Sequence, residues 1–222
     1  MKKMITLFLL IVSVGMFSAI GQVIPDEEVV ELLSGHVLQL NNQANNNISF
    51  IQQIGDKNTA ISIQNQEGIA SNSININQKG IGNEGYIEQT GSDLNTYLLQ
   101  YNRTNEANLW SIGENIFTSV KQDGERNIVN SYIENYGANL RSTKLLQQGN
   151  QNIIDLSLRG NGFENNSFEQ TVIINQFGNQ HQVTAFIEPF SAPIEINQYP
   201  GNAGEGMKID ISNSAFNFPM KK

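Results

Sequence analysis

The sequence predicts an all-β chain folded as a β-solenoid of stacked strand-turn-strand coils, and three observations predict it. The triplet Gln-x-Gly-x-x-Asn recurs, with clean copies at Gln53/Gly55/Asn58, Gln78/Gly80/Asn83, Gln122/Gly124/Asn127 and Gln147/Gly149/Asn152. Self-similarity of this kind marks a repeat architecture. Between the triplets, polar–apolar–apolar–Gln positions alternate with unconstrained ones, and a period of two belongs to strands. The units lie about eleven residues apart, too short for one to bury its own apolar face. Two units, about 22 residues, therefore close one coil, and coils stabilise one another by stacking.

The elements follow in order. Met1-Lys2-Lys3, the apolar run from Ile5 to Phe17 and the small-residue site Ala19-Ile20-Gly21 read as a secretory signal peptide over 1–21. Its loss removes two lysines from a chain of formal charge −8, leaving an exported chain that is more acidic still. Residues 22–46 lie outside the repeat frame and read as a leader used in export or docking. There, Pro25-Asp26-Glu27-Glu28 precedes Val29, Val30, Leu32 and Leu33, a suitable start for a short helix. Residues 47–198 carry the repeats, and 199–222 read as a C-terminal capping segment.

Within the repeats, strand ends carry amides: Gln53, Asn58, Gln64, Asn72, Gln78, Asn83, Gln89, Gln100, Asn105, Gln122, Asn127, Gln147, Asn152 and Gln176. An amide stacked on the amide of the next coil both donates and accepts along the axis, so such columns form ladders and satisfy buried polar atoms. Like charges would repel at every layer, and Arg141 and His181 are the exceptions to an otherwise uncharged frame. Gly55, Gly68, Gly80, Gly91, Gly113, Gly124, Gly137, Gly149 and Gly178 fall in the turns, where they supply the positive φ of tight corners. At about 4.8 Å per layer, six or seven coils make a rod roughly 30 Å long, with a core seam of Ile, Leu, Val and Ala. The frame slips between Leu158 and Gln176, implying an inserted loop around Asn161–Asn165, and again at Glu188–Pro193, where prolines mark an edge or cap.

Composition narrows the function. The chain has no cysteine, which excludes disulfides and thiolate metal sites. Its acidity argues against a nucleic-acid partner. The best carboxylate pair, Glu84 and Glu88, flanks Tyr86 on the outward face, and the two histidines, His36 and His181, fit no catalytic or metal spacing. The expectation is no enzyme, no cofactor and no metal. Outward aromatics, among them Phe50, Tyr86, Tyr97, Trp110, Phe117, Tyr132 and Phe186, suit lateral packing of fibres or contact with surface glycans. They leave open the alternative of a monomeric β-solenoid adhesin.

The stretch Asn72-x-Ile74-x-Ile76-x-Gln78-x-Gly80-x-x-Asn83-x-Gly85-x-Ile87-x-Gln89 resembles the curlin repeat, normally Ser-x-φ-x-φ-x-Gln-x-Gly-x-x-Asn-x-Ala-x-φ-x-Gln with φ an apolar residue. The resemblance runs over about residues 47–198. It implies a secreted functional amyloid subunit of curli-like fibres at the bacterial cell surface, serving biofilm matrix and adhesion. It also implies export through a dedicated outer-membrane secretion machinery and partners that are other curlin-like subunits or further copies. The chain departs from the pattern where Asn replaces the leading Ser, where Ser111 and Leu158 replace Gln, and where Asn102 replaces Gly. Such degeneracy leaves major and minor or nucleating subunit both open.

Overall fold

A computed structural model describes residues 47–65, 72–136, 140–160, 170–187, 193–201 and 206–212. The signal-peptide and leader segments, Gly68, Gly137, the insertion at 161–165 and most of the capping segment lie outside the described residues. Every regular element among the described residues is a strand, and every pairing is parallel. The β-solenoid read from the sequence is the observed fold.

One seven-stranded sheet stacks β1 (Ile48–Ile54), β3 (Ser73–Ile81), β5 (Leu94–Arg103), β8 (Ile116–Glu125), β11 (Arg141–Gln148), β14 (Gln170–Phe177) and β16 (Ile194–Gln198) in that order. We call it the long sheet. A second seven-stranded sheet returns on the other side, with β2 (Thr59–Gln64), β4 (Glu84–Gln89), β6 (Glu106–Ala107), β9 (Ile128–Val129), β12 (Ile153–Ile154), β15 (Gln182–Thr184) and β17 (Lys208–Asp210). A third sheet of three short strands, β7 (Ser111–Ile112), β10 (Ile133–Glu134) and β13 (Leu158–Arg159), belongs, among the described residues, to the third to fifth layers.

The third sheet corrects the expectation that each unit is one strand. In layers three to five the second unit bends between its strands, so these coils have three sides. Leu109, Ser111 and Ile112 in the third layer, and Ser131, Tyr132, Ile133 and Glu134 in the fourth, all carry positive φ. The bend does not disturb which residues face inward. Ala107, Leu109 and Ser111 are buried in one layer, and Val129, Ser131 and Ile133 in the next.

The core is the predicted seam, in which Ile76, Leu98, Val120, Leu145, Ile174 and Ile196 follow one another in register along the long sheet. Coils advance by 25, 22, 22, 25, 29 and 22 residues, measured between successive glutamines of the long sheet.

Candidate functional site: the amide corner

The turn from the long sheet to the second sheet is built the same way in layer after layer. Gln53, Gln78, Gln100, Gln122, Gln147, Gln176 and Gln198 lie in register. The Nε2 of each donates to the Oε1 of the next, at 2.7, 2.7, 2.8, 2.9, 2.9 and 2.8 Å. The second Nε2 hydrogen crosses the coil to a backbone carbonyl of the second sheet: Gln78 to Thr59 O, Gln100 to Glu84 O, Gln122 to Glu106 O. From Gln78 onward every rung is fully buried, so each amide has its partners where water cannot supply them.

The asparagines form a second ladder of opposite polarity. Asn83 donates its backbone N–H and its Nδ2 back to Asn58 Oδ1 (3.0 and 3.1 Å). Asn105 does the same to Asn83, Asn127 to Asn105 and Asn152 to Asn127. A further Nδ2 hydrogen bond runs forward to the carbonyl of the next layer's turn, from Asn58 to Gly80 O, Asn105 to Gly124 O, Asn127 to Gly149 O and Asn152 to Gly178 O.

Those same carbonyls explain the glycines. A Cβ placed on Gly55 would lie 2.1 Å from Gly80 O, and one on Gly124 would lie 1.9 Å from Gly149 O, at φ of +107° and +142°. The oxygen that satisfies asparagine occupies the space a side chain would need. Glycine and asparagine are thus one device, and their three-residue spacing is fixed by it. Asn102 takes the glycine position of its layer with φ 76° and donates to Asp123 Oδ1. The residue before each asparagine is also left-handed: Lys57, Gly82, Thr104, Arg126, Gln151 and, before His181, Gln180. Gly91 and Gly113, read as positive-φ turn residues, do not adopt that conformation. A Cβ on Gly113 meets only the Tyr136 ring, at 3.6 Å.

His181 stands in the asparagine column and reproduces its bonding. Its N–H donates to Asn152 Oδ1, its Nδ1 accepts from Met207 N at 3.0 Å, and its Nε2 lies 2.8 Å from Phe177 O. Because Nδ1 accepts, Nε2 carries the proton and donates, so the ring is the neutral Nε2–H tautomer. The spacing places His181 in an asparagine slot, and the structure adds how an imidazole meets the bonding of that slot.

The opposite corner has no single amide column running through its layers, although Asn135 donates back to Glu114 O of the layer before it. Leu94 N and Asn72 N donate to the Oδ1 atoms of Asn72 and Asn47, respectively, but the column continues as Leu94, Ile116 and Arg141. Arg141 is fully buried, with Nη1 donating to Arg159 O. Gln64 turns to Ile48 O and Ser49 Oγ and leaves its Oε1 unpartnered, while Gln89 bonds Ser73 O, Leu94 O and Thr96. In the frame positions beyond stand Ser111, Ile133 and Leu158. The carboxylate pair on the outward face is not a paired acid and base. Glu88 accepts the Tyr86 hydroxyl at 2.6 Å, and Glu84 pairs in register with Glu106.

Residues 70–101, which span β3, β4 and most of β5, match the family described as curlin associated repeat. No curated protein and no solved structure matches the chain. The curlin repeat family is one of structural proteins rather than enzymes. The match covers one coil and most of the first strand of the next, the stretch that holds Gln78, Asn83 and Gln100 of the two ladders, and it shows that this stretch is similar to the curlin repeat.

Proposed function

We propose that the chain is a secreted structural subunit of curli-like extracellular amyloid fibres at the bacterial surface, contributing to biofilm matrix and adhesion. The observation that carries this is the unbroken glutamine ladder, which ends on an exposed rung at Gln53 while its inner rungs are fully buried. An exposed parallel edge with an unfilled amide column is a template for strand addition from another chain. Contacts of this kind repeat head to tail without closing, so they extend. The matched repeat supports the same reading.

In this reading 1–21 is removed on export, 22–46 engages the outer-membrane secretion machinery, 47–198 stacks, and 199–222 caps. The amides from Gln53 to Gln176 are the self-assembly residues. Partners are other curlin-like subunits and further copies, and surface glycans meet the outward aromatics.

Immunogold labelling of the chain on whole cells tests the proposal. Gold on extracellular fibres is expected, and replacing Gln53, Asn58, Gln78 and Asn83 together with Ala should remove it from them. Gold confined to dispersed molecules would overturn the fibre reading and favour the monomeric adhesin.

A further inference from the structure

The two ends of the rod differ in chemistry. In the first layer the motif is complete: Gln53 is exposed, Gly55 holds φ +107°, and Asn58 is in its column. By the polarity of the ladders, this end lacks, among the described residues, only what a preceding layer would give. Gln53 Oε1 calls for an Nε2–H, and Asn58 N–H calls for an Oδ1, as Gln78 and Asn83 receive from it.

The last layer keeps the glutamine alone. Gln198 is buried, with Nε2 on Gln182 O and Met207 O. Met207 follows His181 in the asparagine column and has no Oδ1 to offer a following N–H. Pro200 falls where the next glycine would stand. Its Cβ and Cα, rather than a carbonyl, lie 3.0 and 3.4 Å from a Cβ built on Gly178. His181 donates to Phe177 O of its own layer, as Asn58 and Asn105 do to Ile54 O and Tyr101 O, but unlike them its ring donates to no carbonyl of the following turn among the described residues. The interval from Gln198 to Met207 is nine residues, where every other layer spaces glutamine and the asparagine column by five.

We infer that the chain joins a fibre through its first layer only, docking on the last layer of a different repeat-bearing chain that retains Gln, Gly and Asn there. The partner is recognised by a glutamine Nε2–H and an asparagine Oδ1 presented five residues apart. A second copy of this chain offers the first without the second, so it is the poorer partner. The chain then ends a fibre at one tip instead of forming its length. This rests on the fibre reading above, and the two fail differently.

The test uses the purified chain and a chimera in which residues 199–207 are replaced by a copy of residues 148–152, restoring the corner to the last layer. Filament length is measured by electron microscopy, with circular dichroism as the check on folding. The folded chimera should elongate, the natural chain should not, and a substoichiometric dose of natural chain should shorten chimera filaments several-fold. Gln53→Lys with Asn58→Lys, on the exposed first layer, should abolish that shortening. Natural chain that elongates as far as the chimera overturns the inference, as does a folded chimera that fails to elongate. If the chimera does not fold, gold on native fibres decides. Label at fibre tips supports one-ended docking. Label along their length overturns it while leaving the fibre function standing, and absence of label from fibres removes the function itself.

Discussion

The two corners of the coil solve one problem in different ways. Where the long sheet turns into the second sheet, side-chain amides bond from layer to layer, and the backbone follows a fixed five-residue path. At the opposite corner the amide column stops after the second layer, and a lone buried amide, Asn135, returns in the fourth. Apolar residues and Arg141 take over, and the turn is made by residues with side chains held at positive φ, including β-branched Ile112 and Ile133. An L-residue in that region costs about 1–2 kcal/mol, and stacking equivalent bends in register is what holds them. The amide corner spreads its cost over hydrogen bonds that every layer repeats. The opposite corner also holds side-chain-bearing residues at positive φ, as the amide corner does at Lys57, Thr104, Arg126 and Gln151, but without a side-chain ladder shared by every layer.

Alanine at the glycines breaks the comparison most sharply. Gly124→Ala drives a Cβ to 1.9 Å from Gly149 O and into a forbidden φ, so a loss of more than about 4 kcal/mol is expected, enough to unfold the rod. Gly113→Ala at the opposite corner meets ordinary contact and should change stability by less than about 0.5 kcal/mol. Thermal and urea denaturation of the pair would check both, and equal losses would mean the corners are not distinct.

The next largest contrast sets Gln122→Ala against Ser131→Ala. The first strips a buried acceptor from Gln100 and a buried donor from Gln147, and at about 1–3 kcal/mol for each orphaned group it should cost about 3 kcal/mol or more. Ser131 Oγ is buried without a partner, so removing it should be neutral or stabilising by up to about 1 kcal/mol. A destabilised Ser131→Ala protein would show that the second corner hides a hydrogen bond.

Within the amide corner itself, Thr104 is a β-branched residue at φ 49° where its neighbour Gly82 is unstrained. Thr104→Asn, which tolerates that conformation, should raise stability by up to about 1 kcal/mol. An unchanged melting temperature would place the strain elsewhere.

The smallest effect is on the outward face. The Tyr86 hydroxyl donates to Glu88, which holds the phenol above its ordinary 10.0, and Glu134 does the same to Tyr132. A phenol raised in the folded chain keeps its proton to higher pH than in the unfolded one. Its contribution is complete below the ordinary phenol value and fades as pH rises through the raised one. Stability should therefore decline above that ordinary value, and phenolate absorbance should lose its latest-titrating part in Tyr86→Phe/Tyr132→Phe.

Much of this was readable in the sequence, and the reason is geometric. Strand side chains alternate whether or not the strand is straight, so the inward set Ala107, Leu109 and Ser111 could be named from spacing, and so could the amides that prove to be hydrogen-bonded. The same fact hid the bends, because a period of two survives a kink that turns the backbone through a corner. The glycines show a similar division. Gly55 and Gly149 answer to a carbonyl about 2 Å from a built Cβ one layer away, whereas at Gly91 the nearest carbonyl, Ile112 O, lies at 3.3 Å and at Gly113 none among the described residues lies within reach. Spacing puts His181 in an asparagine slot but does not reveal its bonding, because imidazole matches an asparagine only when its acceptor and its N–H are both placed.

The unequal coil steps carry a consequence for how such a chain can change. From the first layer to the sixth, the distance from glutamine to the asparagine column is always five residues. The additions that lengthen a coil to 25 or 29 residues fall between the end of one return arm and the next strand of the long sheet. One edge of the rod is metrically frozen and the other is free in length. New peptide, whether acquired by mutation or inserted as a tag or binding loop, can be hung on the free edge layer by layer while the frozen edge keeps count.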